Sequence, residues 1–306
     1  AELKTLLSRL NINELFINSL VGYKNNEEVL EYIGSISKNN DAKLILPLHD
    51  YYALCPSYTL LNDKGRYCDI PSLDLCKACM QNNTHEWRNF FDGEVDMAKW
   101  RKSWFKLLNE CHIVLCFSHS SKEILLKAYP DLQPDKIKVH PHKAKALRPV
   151  ISKNSASDLI TVGVLGAINY AKGSQVIKQL VEAIDRGGLD IKVVVIGEVN
   201  ETIQSERFSF TGRYQRSDLS DIIQDEKIDI FLLPSIWPET FSYTTQEIMM
   251  MNMPLMVFNL GAPAERVENY HKGYIVDQVS IESILKTIET YQLQVDRSES
   301  TANSVS

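Results

Sequence analysis

The chain has 306 residues, enough for two domains that each bury a core, and its 44% hydrophobic and 24% charged residues describe an ordinary globular protein. Residues 1–150 carry 20 Lys and Arg against 18 Asp and Glu, and residues 151–306 carry 13 against 21, so neither half has the basic surface of a nucleic-acid binder. No apolar run reaches the length of a membrane span and no signal peptide opens the chain, which makes a cytoplasmic location the default expectation.

Residues 2–10 read as a short helix and Glu14 to Leu20 as a strand. A helix from Glu27 to Ser37 precedes an apolar run from Lys43 to Leu48, a β-α-β rhythm that points to a parallel sheet. His49-Asp50-Tyr51-Tyr52 follows at the carboxyl end of that strand, where open sheets place their ligands. His49 is therefore a candidate site residue with Asp50 as the group that fixes its tautomer; a loop histidine bonded to backbone is the other reading.

Cys55, Cys68, Cys76 and Cys79 come next, within an insertion of about residues 55–95. A loop that long inside a compact domain needs a reason. Four thiols in a reducing compartment point to a structural Zn²⁺ site, with Cys76-x2-Cys79 as a chelating pair and His85 as a spare ligand. Four unrelated thiols are the alternative. Cys111 and Cys116 read as core. Trp87, Phe90, Phe91, Trp100, Trp104 and Phe105 form an aromatic patch entering a helix from Asp96 to Asn109. Core packing is preferred for them over stacking on an acceptor sugar. The strand Ile113 to Phe117 leads into Ser118-His119-Ser120-Ser121, an N-cap cluster whose Ser118 and His119 are also placed to line a site. From Pro134 to Asn154 the composition turns to Lys, His, Pro and Ser, which reads as a linker with the boundary near residue 150; the cations from Lys136 to Arg148 also allow peripheral membrane contact.

The second half alternates regularly: strands at 160–166, 191–197, 208–214, 228–233 and 255–261 and a short Tyr-Ile-Val strand, with helices at 172–185, 217–224, 242–253 and 281–291 between or after them. Its centre is Phe231 to Pro254, where a buried strand is stopped by Pro234, a polar loop holds Trp237, Pro238 and Glu239, and a helix starts near Ser242. Strand, tight loop and helix N-terminus make an anion site, and Glu239 and Glu247, eight residues apart, can face one ligand.

The pattern P-S-x-x-x-E-x7-E at this turn, with Lys172-Gly173 after one strand and His49-Asp50 after another, resembles the donor site of retaining family 4 glycosyltransferases of group 1. The resemblance implies an α/β protein of GT-B type, two Rossmann-like domains facing a cleft. The N-terminal one (1–150) is short of β-α units, so the chain reads as a piece of a longer protein with other domains or as an unusually small first domain. Residues 151–295 form the nucleotide-sugar domain and 296–306 a polar tail. The implied ligand is a nucleotide-diphosphate sugar, transferred to a glycan or lipid-linked acceptor in cell-surface polysaccharide synthesis, without a catalytic metal and at the inner face of the membrane. By this resemblance Lys172 and the helix start at Thr240, Phe241, Ser242, Tyr243 and Thr244 take the diphosphate, and Glu247 the ribose. Glu239 and His49 hold the sugar, and Gly166, Gly197 and Tyr214 border the nucleotide. One departure is plain: many relatives carry Gly-Arg where this chain has Gly166-Ala167, so Arg213 or Arg266 would have to replace the missing cation.

Two other readings compete. A non-catalytic nucleotide-sugar or glycan-binding module of a larger transferase accommodates the missing arginine. A dehydrogenase does not fit, because no G-x-G-x-x-G opens either half, and a glycosidase using the two glutamates leaves the phosphate-site features unexplained.

Overall fold

The computed structural model describes residues 10–23, 25–85, 90–91, 94–150 and 159–303, the side chains of 298–303 excepted. The expected helix at 2–10 and Trp87 lie outside the described residues. The chain forms two compact units, one of residues up to His142 together with Trp237–Phe241, the other of Lys143–Ile236 and the residues from Ser242 onward.

The first unit holds a four-stranded parallel sheet in the order β1 (Glu14–Phe16), β2 (Lys43–Pro47), β3 (Ile113–Cys116), β4 (Ile137–Val139). β4 lies inside the stretch that composition alone marks as linker; three residues with two β-branched ones carry too little signal to be read. Helices α1 (Asn26–Asn40), α2 (Leu73–Asn82), α3 (Met97–Glu110) and α4 (His119–Ala128) complete the unit. Asp96 starts α3 by accepting from the amides of Ala98 and Lys99, and Ser118 starts α4 through a capping box with Ser121. Leu44 and Leu46 from β2, Leu48 just past its end, and Val114 and Cys116 from β3 pack with Trp100, Trp104, Leu107 and Leu108 of α3. The aromatic patch is therefore core. Trp100 and Trp104 set their edges against Tyr52 at 5.0 and 6.2 Å, Trp100 Nε1 donates to Tyr52 O at 3.1 Å, and Phe90, Phe91 and Phe105 pack around the same cluster. Cys111 and Cys116 are buried, as expected of core thiols.

The second unit holds a six-stranded parallel sheet: β5 (Ile160–Ile168), β6 (Ile191–Val199), β7 (Phe208–Phe210), β8 (Ile230–Leu233), β9 (Leu255–Phe258) and β10 (Gly273–Val276), in the order β10-β9-β8-β5-β6-β7. Helices α5 (Ser174–Gly187) and α9 (Ile281–Asn303) cover one face, where Val162, Val164, Val193, Val195, Ile230 and Leu232 meet Ile177, Leu180, Ile184, Ile284 and Ile288. On the other face α6 (Leu219–Asp225), α7 (Tyr243–Met250) and α8 (Gly261–Val267) cover Leu165, Val194, Phe231, Leu233, Leu255 and Val257. Both faces being covered explains why the strands read as unbroken apolar runs rather than alternating ones. α9 continues past Tyr291 to Asn303, although its last residues are polar.

The strand order places a switch point between β5 and β8: the chain leaves β5 toward β6 on one side, and leaves β8 toward β9 on the other. In open α/β sheets the crevice outside the carboxyl ends at such a point is where ligands bind.

Candidate active site

Two loops rise from that switch point. After β5 the chain passes Asn169 and Lys172 and enters α5 at Gly173; after β8 it passes Pro234 and Ile236 and re-enters the unit at Ser242. The loops are tied together by Ile236 N, which donates to Ala171 O at 3.0 Å, and the first is braced within itself by Lys172 N donating to Asn169 Oδ1 at 3.0 Å. Gly173 has φ +86°, and a Cβ there would lie 2.0 Å from Pro234 O. Only glycine lets the start of α5 press this closely against the end of β8. Gly197, at φ +136°, meets its strand partner in the same way: a Cβ would stand 2.0 Å from Gly166 O. The position of a Cβ on Gly166 is 3.9 Å from Thr244 Oγ1. Gly166, Gly197 and the first turn of α7 thus share one edge of the sheet.

α7 begins at Ser242, whose φ of +66° is a left-handed conformation unusual for serine. Its Oγ accepts from Thr245 N at 3.3 Å and from Thr245 Oγ1 at 3.0 Å. The amides of Tyr243 and Thr244 precede the intrahelical ladder and carry the positive end of the helix dipole. One turn further in, Glu247 is half-buried and paired with Arg216, whose Nε donates to Glu247 Oε1 at 2.6 Å, while Arg216 Nη2 donates to Lys145 O at 2.6 Å. Tyr214 stands beside them; burial and the Glu247 charge push its phenol up to about 12, so it is a neutral donor at any ordinary pH. Thr211 Oγ1 accepts from Gly197 N at 3.1 Å and Gly212 N donates to Gly197 O at 3.0 Å, which fixes the loop carrying Tyr214 to the end of β6. A cavity of about 460 Å³ opens there, lined by Thr211, Arg213, Tyr214, Gln215 and Asp218 among others.

In the first unit His49 follows β2 as expected, but Asp50 does not hold its ring. Asp50 accepts from Tyr52 N at 2.8 Å and Ser19 Oγ at 3.2 Å, and it is Asn18 Oδ1 that meets His49 Nε2, at 3.0 Å. The reason is local: Asp50 turns its carboxylate to its own chain two residues on, a common Asx arrangement. The amide oxygen of Asn18 accepts, so Nε2 carries the proton and Nδ1 is left as acceptor. His49 stacks on Phe117 at 4.8 Å and near-parallel to His142 at 5.5 Å, and Phe117 stacks on His142 at 3.8 Å. Burial lowers the basicity of both imidazoles, which favours neutral rings at pH 7. The segment Trp237–Phe241 belongs to this unit: Trp237 sets its edge on Tyr51 at 6.2 Å, Thr240 Oγ1 donates to His49 O at 2.9 Å, and Phe241 meets His142 edge-on at 5.0 Å. Glu239 is buried here, with Glu239 N donating to Trp237 O at 2.9 Å.

The structure therefore divides the expected residues between the units. Gly166, Lys172, Gly197, Tyr214, Ser242, Tyr243, Thr244 and Glu247 lie around the switch point of the second, and His49, Glu239, Thr240 and Phe241 pack together in the first. Arg213 is not drawn toward the β5 loop, because it pairs with Glu198 at 3.2 Å and is 88% exposed. Arg266 is not an ordinary surface charge: it is partly desolvated on α8, which lowers its basicity. Ser118 serves as an N-cap and His119 is exposed. Arg216, Asn18 and His142 escape sequence reading, since no spacing marks an arginine four residues after Gly212 or an asparagine at a strand end as a partner for Glu247 or His49.

The model of the family described as glycosyl transferases group 1 matches residues 150–301. The second unit belongs to that family. No curated protein sequence matches the chain. Among solved structures it is similar to the lipopolysaccharide outer core galactosyltransferase WaaB in its apo form (12% identity, TM-score 0.57, 94% of this chain and 68% of that one). It is also similar to Anabaena HepE in complex with UDP (15%, TM-score 0.60, 95% and 72%) and to a glycosyltransferase from Rickettsia africae (17%, TM-score 0.58, 94% and 69%). At these identities the likeness is one of fold, the GT-B fold with its two parallel α/β sheets. The matched region contains the switch point, both tied loops and Glu247.

Proposed function

We propose that the chain transfers a sugar from a nucleotide-diphosphate sugar to a hydroxyl of a glycan or lipid-linked acceptor, with retention at the anomeric carbon, in the synthesis of cell-surface polysaccharide. The observation that carries this reading is the convergence of Lys172, the α7 N-terminus and Glu247 at one switch point. Diphosphate charge suits the lysine and the first-turn amides of α7. A ribose diol suits the Glu247 carboxylate, already oriented by Arg216. The base suits the cavity beside Tyr214. HepE was solved with UDP and with UDP-glucose, so UDP-sugars are the first donors to try.

In the reaction the bond from C1 to the phosphate oxygen breaks and its electron pair leaves with the diphosphate. Fixed dipoles and Lys172 stabilise that charge as it develops. The acceptor oxygen bonds C1 on the same face and passes its proton to a departing phosphate oxygen. Glu239 and His49 position hydroxyls and take no covalent part. The neutral His49 suits this, because Nε2–H is held by Asn18 and Nδ1 is left to accept from a hydroxyl. No helix among the described residues is long and apolar enough to cross a membrane; we place the protein in the cytoplasm at the inner membrane face, with Lys136 to Arg148 as a region for lipid phosphate contact.

A non-catalytic sugar-nucleotide module is the second reading, favoured by Ala167 in place of an arginine and by the engagement of Arg213 with Glu198. Incubating the chain with each donor and a hydroxyl acceptor, and following the anomeric proton by NMR, separates the two. Turnover with retained configuration supports the transferase, inverted product removes the retaining mechanism, and tight binding without turnover favours the module.

A further inference from the structure

The thiols expected to hold Zn²⁺ show no metal site: Cys55 and Cys76 are buried in the first unit's core, Cys68 and Cys79 pack against it, and among the described residues no three ligating side chains stand together. Three rings of the same unit do gather. His49 stands two residues past β2, Phe117 one past β3 and His142 three past β4, all at the carboxyl edge of the first sheet. The ladder runs on beyond the strands and fixes this, since Leu48 N donates to Leu115 O at 2.8 Å and His140 N to Cys116 O at 2.9 Å. Neighbouring strands lie about 4.8 Å apart, a spacing that suits stacked rings. Phe117 stacks on His142 at 3.8 Å and on His49 at 4.8 Å, and the two imidazoles are 5.5 Å apart and within 7° of parallel.

We propose that His142 is a positioning residue for sugar transfer, its ring fixing the plane of His49 and anchoring the segment that carries Glu239. The proposal rests on the reading in which His49 and Glu239 hold sugar hydroxyls. Three contacts hold that segment: Trp237 sets its edge on Tyr51, Thr240 Oγ1 donates to His49 O, and Phe241 meets His142 edge-on. Glu239 lies between the first contact and the other two and is buried, so its carboxylate is placed by them. The bond between Nε2 and Asn18 Oδ1 orients His49 at one atom only. A ring held at one atom can still turn about its χ2 bond, a broad torsion for histidine. Stacking on Phe117 and His142 removes that freedom. A turned ring would lose Asn18, and with it the preference for a proton on Nε2 that leaves Nδ1 to accept from a hydroxyl. His142 acts through His49 and Phe241, not on the reacting atoms. What the position needs is a flat ring, so a phenyl group serves there as well as an imidazole.

The test reads His49 without needing turnover. It is ¹⁵N–¹H NMR of the imidazoles of the whole chain, above their titration range, with the His49 signals assigned by their loss in His49→Gln. The wild type is expected to show His49 as one tautomer, protonated on Nε2. His142→Leu, of similar bulk but without a flat ring, should show the averaged nitrogen shifts of two exchanging tautomers, and His142→Phe should restore the wild-type pattern. Should the leucine variant not fold, His142→Asn takes its place. Where UDP-glucose is turned over, His142→Leu should lower kcat about tenfold. The loss should fall on kcat more than on donor KM, because no residue assigned to the nucleotide is touched, and His142→Phe should keep most of the rate. A single Nε2–H tautomer retained in His142→Leu overturns the proposal, as does a His142→Phe protein that behaves like the leucine one. A wild type without turnover counts against the transferase reading instead, and the NMR comparison then decides by itself whether His142 sets the His49 ring.

Discussion

The two sheets are built by the same rules and differ in what their strand orders allow. The first runs β1-β2-β3-β4 without reversal, so successive loops step along one edge. The second reverses between β5 and β8, and there two consecutive-looking motifs, Lys172-Gly173 and Pro234-Ser235, are brought side by side although about sixty residues separate them. A reversal creates a crevice from backbone alone. The first unit has to assemble its candidate residues differently, by stacking His49, Phe117 and His142 and by drawing in Trp237–Phe241. Preorganisation rests on backbone bonds and close glycine contacts in one unit and on aromatic stacking in the other.

The largest expected effect tests whether the first unit's aromatics are core. Trp104→Ala should destabilise by about 4 kcal/mol in denaturant unfolding, because it empties a fully packed position. A variant of unchanged stability would return these rings to the acceptor-binding reading. Next comes the close approach at the switch point. Gly173→Ala should cost about 3 kcal/mol, since its Cβ meets Pro234 O and cannot move away from backbone. Gly188→Ala is the control, with φ +59° and open space around it, and should cost only about 1 kcal/mol. Equal losses would mean that strain alone, and not the approach of the two loops, sets the cost.

Donor affinity separates the cations. Glu247→Gln and Arg216→Gln should each raise the donor Kd about tenfold, the worth of one charge-assisted bond or its orientation. Lys172→Ala should do about the same, while Arg213→Ala should change it less than about twofold, as exposed pairs contribute little. Calorimetric titration reads all four. The smallest effect belongs to Asp50 in the first unit. Burial raises its carboxyl above the unfolded value despite its bonds from Tyr52 and Ser19. A raised acid is stabilising in its protonated state, so this contribution is present at low pH and lost as pH rises through the folded pKa. Asp50→Asn should therefore stabilise slightly at pH 7, and the gain should vanish as the pH is lowered; a gain that persists in acid would contradict the assignment.

What could be read from the chain follows from the same contrast. Strands buried on both faces, such as β8 and β9, leave continuous apolar runs, and Pro234-Ser235 marks the turn that follows β8. Of the first unit's short strands, β1 is read from Glu14 but ends four residues earlier than expected, and β4, three residues in a linker-like stretch, is below what periodicity can resolve. The positions of Lys172, Gly173 and Glu247 beside the switch point were legible because each stands at a fixed offset from a strand end. Arg216, Asn18 and His142 were not, because each acts through a tertiary contact with no offset to betray it. Asp50 misled for a related reason: adjacency to His49 suggests a pair, whereas an aspartate in a tight loop bonds its own backbone first.

The central claim is that the switch point of the second unit binds a nucleotide-diphosphate sugar through Glu247. Thermal unfolding of the chain against UDP-, GDP-, dTDP- and ADP-sugars, beside Glu247→Ala, tests it most directly. At a hundredfold excess over Kd, a bound donor adds about 2.7 kcal/mol of stability. The account predicts a raised midpoint with one nucleotide class, lost in the alanine variant. No rise with any donor at millimolar concentration, or a rise that Glu247→Ala retains in full, would contradict it.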